Sequence, residues 1–107
     1  MDLAIRRRFA FMKVWPQLSI VEKHGCSLTK EAFQRILNTF VEYAPDEVLN
    51  LVPGHGYFTE KDEGRAKRRL KTELAPLLEE YLAQGFIAGF SDDIRSYLEW
   101  LKTACSS

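Results

Sequence analysis

The chain has 107 residues, of which 46% are hydrophobic and 12% aromatic; this fits one packed domain and excludes a mostly disordered chain. Its 15 basic and 15 acidic residues cancel, so affinity for a polyanion has to come from local patches and not from bulk charge. No apolar run approaches the roughly 20 residues of a membrane span. The arginines before "FAFMKVW" make a poor secretory leader, because Lys13 interrupts the run, and the expected location is the cytoplasm.

Helical periodicity runs through the chain and strand signals are nearly absent. The first predicted helix spans about Asp2 to His24. Ile5, Phe9, Met12 and Leu18 lie on its apolar face, Pro16 kinks or splits it, and Gly25 is its stop. In "LTKEAF", Thr29 stands as the N-cap of a second helix, with Leu28 and Phe33 placed to close a hydrophobic staple. Phe33, Ile36, Leu37, Phe40, Val41 and Ala44 follow at three-four spacing, and Pro45 ends the helix. "PDEVLNL" reads as a short helix with Asp46 and Glu47 in its first turn. "VPGHGYF", Val52 to Phe58, reads as a loop, and the stretch from Val52 to Lys61 is the most flexible one expected.

A third long helix starts between Thr59 and Asp62 and runs to about Gln84. Its stripe is Ala66, Leu70, Leu74, Leu77, Leu78, Tyr81 and Leu82; Pro76 predicts a kink and Gly85 a stop. After the apolar connector "FIAGF", Ser91 reads as the cap of a last helix carrying Ile94, Tyr97, Leu98 and Leu101, fraying from Thr103. The chain therefore reads as one all-α domain over residues 1–107, a compact bundle of four to five helices. Phe33, Ile36, Leu37, Phe40, Leu70, Leu74, Leu77, Leu98 and Leu101 are its expected core.

Chemistry-bearing motifs are sparse. There is no G-x-S-x-G, phosphate loop, H-E-x-x-H or buried-looking carboxylate cluster, so no enzyme is expected. His55 between two glycines has no nucleophile or carboxylate that spacing places beside it. Cys26 and Cys105, with His24 and His55, do not form a four-ligand zinc pattern; neither a metal nor a cofactor is expected.

The informative feature is charge. "GRAKRRLK", Gly64 to Lys71, packs five cations into eight positions. On a helix with Ala66 and Leu70 inward, Arg65, Arg68 and Thr72 face outward, Arg69 flanks one side, and Lys67 and Lys71 flank the other. Glu63 is placed to pair with Lys67, and little else is placed to pair within the helix. Guanidinium forks hold phosphate with two bonds. A second cluster is Arg6, Arg7, Arg8 and Lys13. No Asn or Gln stands among the arginines to read base edges, so the expected partner is the nucleic-acid backbone, bound without regard to sequence.

"LTKEAFQRILNTFVEYAPDEV" and "LLEEYLAQGFIAGFSDDIRSYLEWL" resemble the helical C-terminal region of the large subunit of type I-D CRISPR surveillance complexes, a region also made as a separate small subunit. The resemblance covers nearly the whole chain and carries no catalytic or metal motif. It implies a non-catalytic subunit stacked in copies beside other subunits, helping to hold the guide–target duplex or the displaced strand. The matching residues would be Arg65, Lys67, Arg68, Arg69 and Lys71, then Arg6, Arg7, Arg8 and Lys13. Zero net charge sits least well with it. A protein-interaction adaptor docking its arginines on an acidic partner, and a free-standing dimeric DNA-binding regulator, stay open on the residues alone.

Overall fold

The computed structural model describes residues 17–45, 48 and 51–106. The first sixteen residues, with the Arg6, Arg7, Arg8 and Lys13 cluster and the kink at Pro16, lie outside that set, as do Asp46 and Glu47. The described residues build an all-α bundle with no strand among them. In chain order they are α1 (residues 17–24), α2 (Ser27–Tyr43), a 3-10 turn (His55–Phe58), α3 (Glu63–Arg69), a π turn (Leu70–Leu74), α4 (Ala75–Gln84), a second 3-10 turn (Ala88–Phe90) and α5 (Ser91–Cys105). No helix among them is long and apolar enough to cross a membrane.

The junction of α1 and α2 differs from the expected one. Gly25 keeps a negative φ, since Gly85 is the one described glycine with a positive φ. Gly25 is required for space. A Cβ there would run into the Thr29 hydroxyl, the Phe58 carbonyl and the Val21 carbonyl. Thr29 is not the N-cap. The helix begins three residues earlier than that cap would place it, with Cys26 at the cap, and Thr29 at N3 reaches back to it. The Thr29 hydroxyl accepts from the Cys26 N–H at 2.8 Å and donates to the Cys26 carbonyl at 3.0 Å. Those two bonds let a fully buried hydroxyl remain satisfied.

Ala44 closes α2 through a bond from its N–H to the Phe40 carbonyl, and Pro45 follows as expected. The stretch from Leu51 to Phe58 is strapped down at three points and is not a free loop. The Tyr81 hydroxyl donates to the Leu51 carbonyl, the His55 N–H donates to Gln17 Oε1, and the Phe58 ring packs 4.9 Å from Phe33. Phe58 and Pro53 are buried.

The third long helix is real but not uniform. Asp62 caps α3 by accepting from the Arg65 N–H at 2.9 Å. Instead of a simple kink at Pro76, the chain widens into the π turn just before it, where the Ala75 N–H reaches the Leu70 carbonyl five residues back. Proline offers no N–H and its ring crowds the carbonyl four residues earlier, so a wider turn relieves both problems. The widening also explains the core. Ala66, Leu70, Leu74 and Leu78 are all buried at strict four-residue spacing. A straight α-helix turns about 100° per residue, so three such steps would drift about 120° around the axis. An underwound turn in the middle brings Leu74 and Leu78 back to the inner face. α4 ends at Gly85, whose φ of 76° supports a left-handed cap. Its N–H bonds the Leu82 carbonyl, the Phe86 N–H bonds the Tyr81 carbonyl, and the Phe86 ring rests on Tyr81.

Ser91 is the first helical residue of α5 and not its cap, because the 3-10 turn feeds directly into the helix. The helix does not fray at Thr103; it stays helical to Cys105, which is buried. α5 lies against α2, α3, the π turn and α4. The Tyr97 hydroxyl donates to the Ala32 carbonyl at 2.9 Å across the α2–α5 contact, and Phe40 meets Phe90 edge-on at 5.3 Å. Of the expected core residues, Leu37 and Leu77 are only half-buried, at the edges of their stripes; the other seven are buried.

Candidate nucleic-acid interface

The basic run is split between α3 and the first half of the π turn. Ala66 and Leu70 are buried, which turns Arg65, Arg68 and Thr72 outward, and all three are exposed. Arg69 and Lys67 are half-buried on opposite flanks and Lys71 is exposed. The run thus presents the arrangement expected of it, with one difference. Arg69 is not available in the same way as its neighbours: its Nε lies 3.2 Å from Glu73 Oε2, an i,i+4 ion pair that spacing alone had passed over. Among the described residues no carboxylate pairs with Arg65, Arg68 or Lys71.

An open groove runs beside the ridge, lined by Gly64, Lys67, Arg68, Lys71, Thr72 and the end of α5 at Cys105. Gly64, Arg68 and Thr72, and likewise Lys67 and Lys71, repeat every four residues. The same widened turn that keeps the core residues inward therefore keeps these side chains in line. The Thr72 hydroxyl is turned back to the Arg68 carbonyl at 2.8 Å, which leaves the guanidinium and the two ammonium groups as the polar character of the groove. Burial pushes the Cys105 thiol above its ordinary range, and Lys71 and then Lys67 pull it back part of the way. The thiol is a neutral wall of the groove near neutral pH, not a nucleophile.

Lys102 is the residue that reading along the chain missed. It is exposed on α5, it has no carboxylate partner among the described residues, and it stands with Lys71 at the rim of a second groove between the π turn, α4 and α5. Thirty-one residues separate the two lysines, so only the packing of α5 reveals them as neighbours.

His55 sits in the first 3-10 turn, held by its backbone to Gln17. Among the described residues no three His, Cys, Asp or Glu side chains gather as a metal site. No family model, no curated protein and no solved structure matches the chain.

Proposed function

We propose that the chain is a non-catalytic helical subunit that grips the sugar–phosphate backbone of nucleic acid, without reading sequence, through the ridge formed by Arg65, Lys67, Arg68 and Lys71. The observation that carries the reading is that Arg65, Arg68 and Lys71, on one exposed face, have no carboxylate partner among the described residues, in a chain whose total charge is zero. Unneutralised cations in a line are what counterion release from a phosphate chain requires. The setting follows the resemblance to the type I-D CRISPR small subunit: a cytoplasmic, RNA-guided surveillance complex in which the chain packs against other subunits and further copies of itself. Overall neutrality is the feature that fits that setting least well, so the affinity has to come from the local ridge and not from bulk charge.

The test is equilibrium binding of the purified chain to a random single strand, a random duplex and an RNA–DNA hybrid across a salt titration. The comparison variant is Arg65→Glu/Arg68→Glu/Lys71→Glu, which spares the ion-paired Arg69. Sequence-blind binding that weakens steeply with salt and disappears in the triple variant supports the reading. Unchanged affinity in the variant, or no binding by wild type at low salt, overturns it.

A further inference from the structure

We propose that the groove beside Lys102 takes an unpaired nucleobase, so that the strand held on the ridge is single-stranded where it crosses from the π turn to α5. This rests on the backbone-gripping reading above and adds the chemical form of the nucleic acid. The groove is formed by Lys71, Ala75, Pro76, Glu79, Leu101 and Lys102, and encloses about 150 Å³. That is well below the roughly 300 Å³ at which pockets for whole small molecules begin. It has room for one flat ring.

Its chemistry is divided in the way a nucleotide is divided. Ala75, Pro76 and the edge of Leu101 make an apolar floor. An extruded base is commonly stacked between apolar as well as aromatic side chains. Lys71 and Lys102 stand at the rim with no carboxylate partner among the described residues, where a phosphate on either side of the base would lie. Lys71 also lines the ridge groove, so the two sites share a cation and a strand can pass from one to the other without leaving positive charge. Glu79, also in the lining, is an acceptor for an exocyclic amino group and repels phosphate, which favours the base inward and the backbone beside the lysines. A duplex keeps its bases paired and stacked, so its backbone could touch the crest of the ridge but could not fill this floor.

The experiment compares two single strands of equal length and equal phosphate number, oligodeoxycytidine and its abasic counterpart, on the full wild-type chain at low salt. The base-bearing strand should bind more tightly, by up to about fivefold, since stacking even on an aromatic ring starts near that value and this floor is aliphatic. Ala75→Leu, which fills the floor without changing charge, should bring the two strands to the same affinity, and Lys102→Gln should weaken both. Thermal melts of both variants establish that they are folded, and the wild-type comparison stands without them. Equal affinity of wild type for the two strands overturns the base groove while leaving the phosphate ridge intact. Failure of wild type to bind either strand overturns both readings.

Discussion

Gly25 lies directly beneath the Phe58 carbonyl: a Cβ built on the glycine would come within 2.5 Å of that oxygen. This approach ties the α1–α2 corner to the 3-10 turn 33 residues later, and nothing in the backbone angle of Gly25 demands glycine. Gly25→Ala should therefore act as overpacking and not as strain in φ, destabilising the fold by about 2 kcal/mol. Urea unfolding gives the value. A variant as stable as wild type would show that the corner opens without cost. Gly56→Ala, with open space around it, is the control and should be near neutral.

Stability should fall on the alkaline side, and Tyr97 should be the main reason. Burial drives its phenol well above the ordinary 10.0, the nearby Cys105 adds to the rise, and Arg35 opposes it. Tyr81 is raised by burial and then by Tyr57. Such groups bind their protons more tightly in the native state than in the unfolded one. Their contribution is complete below the unfolded value and is lost as pH climbs from there towards the folded value. Unfolding midpoints should thus be flat near neutrality and decline above about pH 9, where the ordinary Cys value of 9.0 brings in Cys105 as well. Tyr97→Phe should cost about 1 kcal/mol at neutral pH, for the lost bond to Ala32, and flatten much of the alkaline decline. An equally steep decline in that variant would assign the effect elsewhere.

The cations of the ridge should not be equivalent. Arg69 is already engaged by Glu73, whereas Arg68 is not. Arg68→Ala should lower affinity for nucleic acid and reduce the salt slope by about one. Arg69→Ala should do less on both counts. The measurement is a pair of log affinity against log salt plots, and a larger loss at Arg69 would contradict the reading of the ridge.

Asp62 links folding to the ridge. It supplies the bond that starts α3, so Asp62→Ala should cost about 1 kcal/mol of stability. It also removes an anion next to Arg65. Amide exchange in residues 63–66 should quicken in the variant, while nucleic-acid affinity holds or rises. A fall in affinity would mean that the cap, and not the charge, sets the geometry of the ridge.

Helix number, the main buried stripes and the Arg65–Lys71 face were legible from spacing, because each rests on contacts within one helix. What escaped depends on contacts between distant segments or on a change of helical winding. Thr29 looked like a cap because Thr-x-x favours that role, and only the buried reach back to Cys26 moves the helix start to Ser27. Leu77 fitted a 3.6-residue stripe, but the π turn rephases the helix and leaves it half-buried. Cys105 seemed to belong to a frayed tail, yet the wall formed by α3 covers it. Lys102 carried no signal at all in the linear sequence.

The π turn has one last consequence, which concerns lengths of chain. Core residues and ridge residues share a four-residue rhythm across it, so inside and outside are phase-locked. An insertion or deletion in most of this helix would rotate everything beyond it by about 100°. Within Leu70–Leu74, removal of one residue could instead be absorbed by rewinding to an ordinary turn, were Pro76 not there to resist it. Pro76 thus acts as a lock on register. A one-residue deletion at Thr72 should be far better tolerated alongside Pro76→Ala than alone, and the pair would test whether the alignment of the rail of cations depends on that single ring.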